Sequence, residues 1–428
     1  MNEWIEQSCK MDQEDPLRSF RDEFWIPLHA DGADQVYFCG NSLGLQPRRL
    51  QQVMADELDA WKTLGVEGHF EGARPWMPYH EFLREPLAKL VGALPGEVVA
   101  MNSLTVNLHL AMVSFYRPHG RRRKILIERQ PFPSDRYAVE SQIRFHGLDP
   151  DQCLVELGAE ADDRLIDESL IEDYLENYGD EVALVLWPGV HYASGQLFDL
   201  ARIVQAAHQA GARIGFDLAH AAGNVPLKLH DAGPDFAVWC SYKYLNAGAG
   251  AVGACFVHER HHDGNKNGGA LPRFHGWWGS DPATRFQMGP VFKPAAGADA
   301  WQLSNPPIMA MAPVWASLQI FEEAGLAALR AKSIELTAWL EHLIHAELDP
   351  VLEIITPSDP GRRGCQLSLR VRAGREQGRA LFRFLQQRGV ITDWREPDVI
   401  RVAPVPLYNR FEDCARMVGH IRAFRPET

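Results

Sequence analysis

Apolar residues along this chain fall alternately into helical repeats and short unbroken runs. Leu50, Val53, Met54, Leu58 and Trp61 lie three and four apart, which predicts a helix opening near Pro47 and running to residue 64. A second helix is predicted over 77–91. A third, capped by Asn102 or Ser103, repeats Leu104, Leu108, Ala111, Met112 and Phe115 at the same spacing. Strand 124–128, helices 134–145 and 165–177, strand 182–187 and helix 199–209 follow, then two apolar runs at 213–216 and 236–240. Each run is too short for an isolated helix and is joined to a helical period, so parallel β-α-β units are the simplest account. A long helix over 308–346, with break points at Pro313 and near Gly325, leads to strands 351–355, 365–371, 390–394 and 399–403 around a helix at 374–388.

The pattern predicts an α/β protein. A large domain over 47–312 carries a mainly parallel sheet flanked by helices, and 313–428 forms a small α+β C-terminal domain. Residues 1–46 are expected to pack with the small domain: the first 35 are polar with aromatic anchors at Trp4, Phe20, Phe24 and Trp25, and a short strand at 35–39 runs into the glycine turn Gly40-Asn-Ser-Leu-Gly44.

The two central runs end on polar groups, the first at Asp217 and His220 and the second at Ser241, Tyr242 and Lys243. Buried parallel strands would bring these to the carboxyl edge of one sheet, where open α/β sheets bind ligands. A carboxylate, an imidazole three residues on and a lysine on the neighbouring strand suit pyridoxal phosphate. Its aldehyde condenses with a lysine, and an Asp facing the pyridine nitrogen keeps the ring protonated and electron-accepting. Taken singly, Asp217 can be a helix cap and Lys243 a solvated charge; Tyr242 and the flanking glycines favour chemistry. The helix start at 102–104 offers free N–H groups to a phosphate, or is simply a structural cap. Gln130-Pro-Phe-Pro-Ser-Asp135 presents Phe132, Ser134 and Asp135 together, and the glycine-rich loop 65–76 holds His69, Arg74 and Trp76 in the manner of a loop reaching over a pocket.

Composition narrows the choices. A net charge of −13 disfavours nucleic acid as a partner, and Arg121-Arg-Arg-Lys124 reads as a solvated strand entrance. The cysteines, at 9, 39, 153, 240, 255, 365 and 414, are odd in number and without a Cys-x-x-Cys, as in a reduced cytoplasmic protein. The amino terminus lacks an apolar leader, and no run approaches the ~20 apolar residues that cross a bilayer. Gly248-Ala-Gly-Ala-Val-Gly253 fits the dinucleotide fingerprint, but a strand-like run at 251–257 follows where that fingerprint needs a helix. His258, His261 and His262 sit in a polar turn heading into a loop at 264–269, and surface charge is the preferred reading over a metal site.

Phe216-Asp-Leu-Ala-His-Ala-Ala-Gly-Asn-Val-Pro226, followed by Trp239-Cys-Ser-Tyr-Lys-Tyr-Leu-Asn-Ala-Gly-Ala-Gly250, closely resembles kynureninase, and the likeness runs from about Tyr37 to Arg410. The resemblance implies the pyridoxal-phosphate-dependent fold type I of the aspartate aminotransferases, with no metal. It implies phosphate contacts at Leu104, Thr105 and Phe132, Pro133, Ser134 and Asp135, with Phe132 on the pyridine ring. Asp217 falls at the ring nitrogen with His220 nearby, Tyr242 at the phosphate and in proton transfer, and Lys243 at the covalent lysine. Trp277 and Asn305 fall at the cofactor, while His69, Trp278, Ser304, Asn305 and Arg401 fall at the substrate, Arg401 facing its carboxylate. Trp278 stands where relatives often carry Phe. The implied reaction is hydrolysis of L-kynurenine, or its 3-hydroxy form, to anthranilate or 3-hydroxyanthranilate and L-alanine, in tryptophan catabolism or pyridine nucleotide biosynthesis. Such enzymes are homodimers with sites at the subunit boundary. The rival within the fold is a cysteine desulfurase or class V aminotransferase, for which Cys365 is the candidate thiol.

Overall fold

The computed structural model describes residues 2–158, 165–262 and 271–425. Its strands are β1 (Val36–Tyr37), β2 (Val98–Ala100), β3 (Lys124–Glu128), β4 (Leu154–Leu157), β5 (Val182–Pro188), β6 (Arg213–Asp217), β7 (Phe236–Trp239), β8 (Ala254–Val257), β9 (Leu352–Ile354), β10 (Leu367–Val371), β11 (Val390–Ile391), β12 (Asp393–Arg395) and β13 (Val399–Val402). The large sheet runs β2-β8-β7-β6-β5-β3-β4. Its pairings from β4 through β3, β5 and β6 to β7 are parallel. β5 is buried along its whole length, because a parallel strand covered by helices on both faces needs a continuous apolar run. At β6, Gly215 faces Phe236 of β7; a Cβ there would stand 2.1 Å from the Phe236 ring, which instead stacks on Phe115 with centroids 5.2 Å apart.

The run at 251–257 departs from the parallel expectation. β8 pairs antiparallel with both β7 and β2. The loop between β7 and β8 contains no helix to carry a crossover, so the chain can return only antiparallel. A helix over Asn2–Glu14 and strand β4 carried too little periodicity to be foreseen. The predicted helix 165–177 begins later, as Ser169–Tyr178. The long helix breaks at Gly325, where φ is +74°, into Ile308–Ala324 and Leu326–Leu348. Pro313 does not break it; lying near the start, it forfeits only the bond to the Met309 carbonyl. The run 390–394 divides, β11 pairing with β1 and β12 with β13.

The smaller sheet, β12-β13-β10-β9, is antiparallel. Val36, Phe38, Leu340, Leu343, Leu367 and Val418 belong to the core beneath it. The amino-terminal helix docks here: Trp4 Nε1 donates to Glu347 Oε1 at 2.8 Å, and Trp339 Nε1 to Ser8 Oγ at 2.9 Å. Ala403 N bonds Phe38 O at 3.0 Å within this assembly, and Gly44 N, bonding Tyr242 O at 2.8 Å, ties it to the large sheet's carboxyl edge.

Candidate active site

β6 ends on Asp217, and β7 leads directly into Tyr242 and Lys243, so the chemistry emerges at the carboxyl edge of adjacent parallel strands. A pocket there is lined by Leu104, Thr105, Glu128, Phe132, Ser134, Asp135, Tyr192, Asp217, His220, Tyr242 and Lys243. Lys243 Nζ lies 3.0 Å from His220 Nε2. Burial, then the Lys243 charge, hold His220 well below the usual imidazole range, so a neutral ring accepts a hydrogen bond from Lys243 Nζ, and among the described residues its Nδ1 is without a partner. Asp217 Oδ1 accepts from Ala219 N at 2.6 Å.

Two further carboxyls face Asp217. Burial, reinforced by the Asp217 charge, pushes Glu128 up to about 8. Burial, then Asp217 and Glu128, raises Asp135 well above the carboxylate range, and its Oδ1 has no hydrogen-bond partner among the described residues. A cationic ring N–H is what so acidic a buried wall would accommodate. On the other side, the helices Leu104–Phe115 and Pro133–Phe145 both begin without a side-chain cap, and Thr105 Oγ1 and Ser134 Oγ are 2.9 Å apart between them. Two helix starts with free N–H groups and hydroxyls form a cradle for a phosphate. Phe132 offers a ring face 5.8 Å from Lys243 Nζ and meets Tyr192 edge-on at 5.5 Å. Phosphate cradle, lysine, ring face and carboxylate together fit pyridoxal phosphate.

Glu128 gives a test of this wall in the cofactor-free protein. A carboxyl raised on folding binds its proton more tightly in the native state, so its stabilising effect is complete below about pH 4.5 and is lost as pH rises through about 8. Melting of the apoprotein is expected to show stability falling across this window, by on the order of a few kcal/mol. Glu128→Gln should reduce the slope, Asp135 supplying the remainder; an unchanged slope in the variant would place the titrating group elsewhere.

Arg401, buried in β13, stands across from Asp393 of β12. Its Nη2 contacts Asp393 Oδ2 at 2.6 Å and Ser42 Oγ at 3.1 Å, and its Nη1 donates to Tyr192 O at 2.9 Å. Nε has no partner. Arg395 shares the same carboxylate at 3.1 Å. Sequence reasoning missed Glu128, Tyr192, Ser42, Asp393 and Arg395. For Glu128 a signal existed, since it closes an apolar strand as Asp217 does.

Other predicted residues lie apart from the pocket. His69 is held by Val66 O at 3.0 Å and meets Trp76 edge-on. Trp277 is exposed beside the 280–293 segment, and Ser304 and Asn305 are exposed. Pro133 opens its helix outside the lining. Trp278, expected at the substrate, is buried instead under the Arg285 guanidinium, 4.3 Å from its ring. The turn after β8 is corrected as well. His258 and His261 are buried, His261 Nε2 bonding Asp235 Oδ1 at 2.8 Å and His258 stacking on His230 near Glu97. Glu97, His230 and His258 bring donor atoms within 4.8 Å of one another, but Leu94 N, Glu259 N and Arg260 N already bond this group. The 264–269 loop lies outside the described residues. Gly248–Gly253 leads into β8 and not into a helix.

A family model described as the kynureninase C-terminal domain matches residues 329–421. The kynureninase of Xanthomonas campestris pv. campestris (strain B100) is 58% identical over 417 residues, covering 97% of both chains. That of Stenotrophomonas maltophilia (strain K279a) is 58% identical over 414 residues, covering 97% of this chain and 96% of its own. The chain belongs to the kynureninase family. Among solved structures, the apo cysteine desulfurase of Thermococcus onnurineus NA1 superposes with a TM-score of 0.72 at 16% identity, covering 91% of this chain and 94% of its own. A C-DES mutant with glycine covalently linked to its PLP cofactor gives 0.73 at 19%, covering 93% and 98%. These share the fold type I architecture expected from the sequence. In this member of the kynureninase family, Cys365 is no desulfurase nucleophile: it is buried, and burial pushes its thiol up to about 12.

Proposed function

We propose that this chain hydrolyses the Cβ–Cγ bond of L-kynurenine or 3-hydroxy-L-kynurenine, releasing anthranilate or 3-hydroxyanthranilate and L-alanine, with pyridoxal phosphate as cofactor. The 58% identity to kynureninases over nearly the whole chain carries the reading. Thr105 and Ser134, with the helix starts around them, hold the phosphate; Asp217 faces the ring nitrogen and Phe132 the ring; Lys243 supplies the covalent amine. When bound, the cofactor supplies an electron sink for the carbanion formed at the substrate's Cα.

Within that frame Lys243 takes the Cα proton, and neutral His220, 3.0 Å away, accepts a hydrogen bond from its amine. Burial raises the Tyr242 hydroxyl, so it stays protonated and serves as the proton donor and relay in C–C scission. Arg401 receives the substrate carboxylate. His69, Trp277, Ser304 and Asn305 complete the site from a second subunit or on closure. The exposure of Trp277, Ser304 and Asn305 outside this chain's own pocket supports a homodimer. Seven free cysteines are in keeping with a cytoplasmic setting. Among the described residues no helix is long and apolar enough to cross a membrane. The pathway placement is tryptophan catabolism or pyridine nucleotide biosynthesis.

Incubating the cofactor-loaded protein with each substrate, while following anthranilate-type fluorescence, tests the activity. Product from one or both is expected. Absence of fluorescence, with sulfide or a keto acid formed from cysteine or another amino acid, would assign the protein to a different reaction of the fold.

A further inference from the structure

We propose that a basic depression at the amino edge of the large sheet, opposite the lysine pocket, binds a small anion carrying adjacent phosphate groups. The depression, about 570 Å³, is formed where several chain segments meet: Arg117 and His119 after the helix Leu104–Phe115, Arg122 before β3, His208 and Arg213 around the start of β6, and Arg260 beyond the end of β8. Among the described residues four arginines and two histidines line it, and no acidic residue does. On a chain whose net charge is −13, such a concentration of one sign runs against the rest of the molecule.

Of the four guanidinium groups only Arg213 is paired with a carboxylate, and two of the others are held by backbone carbonyls. Three backbone carbonyls hold Arg122: Gly179 O at 2.9 Å and Val182 O at 2.6 Å from Nη1, and Ala210 O at 3.0 Å from Nη2. Arg260 Nη2 donates to Gly233 O at 2.9 Å. Among the described residues, none of Arg117, Arg122 and Arg260 forms an ion pair with a carboxylate. The acid beneath, Asp235, is fully buried and already taken by Arg213, His208 and His261. Several like charges around one cavity repel each other until an anion enters, and planar guanidinium forks match phosphate oxygens in pairs.

The volume is that of a small-ligand cleft, and the Phe115, Ala183, Ala212 and Leu271 side of its lining offers apolar contact beside the charges. A nucleoside diphosphate or a compact inorganic or sugar diphosphate shares this chemistry. The basic run at Arg121 to Lys124, read from sequence as a solvated strand entrance, thus contributes one fixed cation to a site.

Calorimetric titration of the cofactor-loaded protein with ADP, inorganic pyrophosphate and adenosine tests the proposal, the loaded cofactor keeping the probes out of the other phosphate cradle. ADP and pyrophosphate are expected to bind with a dissociation constant below about 1 mM in dilute buffer, weakening steeply with salt, while adenosine gives no heat. Arg117→Ala/Arg260→Ala, both exposed side chains, should weaken binding by about tenfold or more at an unchanged melting temperature. Lys89→Ala, a surface cation elsewhere, should leave it intact. Tighter binding of ADP than of pyrophosphate assigns a nucleotide, and equal binding assigns a simpler diphosphate. No heat from either anion at about 5 mM, or equal binding by the double variant, overturns the site.

Discussion

Lys243→Ala is expected to lower turnover of kynurenine by at least about 10⁴-fold and to remove the visible absorbance of the lysine-bound cofactor. The size of the effect follows from a double role. In the proposed mechanism one amine both anchors the cofactor aldehyde and takes the Cα proton, and among the described residues no second lysine lines the pocket. His220 cannot stand in as the covalent group, and its proton affinity is depressed by burial and by the Lys243 charge. The variant should still retain the cofactor non-covalently, since Thr105, Ser134 and the two uncapped helix starts remain. Retained cofactor without turnover separates loss of the amine from loss of the fold. Borohydride reduction followed by peptide mapping should find the adduct at position 243 in the parent and nowhere in the variant. Near-parental activity would remove Lys243 from the mechanism.

How much of this was legible in the sequence depends on distance along the chain. Asp217 and Lys243 could be paired beforehand because each closes an apolar run, and parallel strands bring such ends to one edge whatever the loops do. The two helix starts beside the pocket were legible for a similar reason: they declare themselves by a change of period. Asp393, Ser42 and Arg395 were not, because their relation to Arg401 depends on the β12-to-β13 register and on a turn from the amino terminus. Neither leaves a local trace. The histidines after β8 misled because polarity of sequence was read as exposure; Asp235, on a different segment, supplies the partner that lets His261 be buried. Trp278 shows the same limit from the other side, since an aromatic residue in a glycine-rich turn carries no mark of whether it faces a ligand or Arg285.

Arg401→Ala should raise KM for kynurenine by on the order of 10²-fold, with a smaller effect on kcat. The guanidinium is wholly buried, and among the described residues its Nε is without a partner, so a substrate carboxylate can add to the existing contacts with Tyr192 O, Ser42 and Asp393. Removing the side chain does more than delete a bond. Asp393 is then left facing the incoming carboxylate, with Arg395 as its remaining cation at 3.1 Å, and two like charges in a buried setting repel. Arg401→Ala/Asp393→Asn is therefore expected to recover part of the lost affinity, and Arg401→Lys, which keeps the charge but not the fork, to fall between parent and alanine variant. The split between KM and kcat distinguishes carboxylate binding from a loss of packing in β13, because misfolding lowers the active fraction and leaves KM alone. Unchanged KM in a folded Arg401→Ala protein would move the substrate carboxylate to another cation, and Arg395 is the nearest.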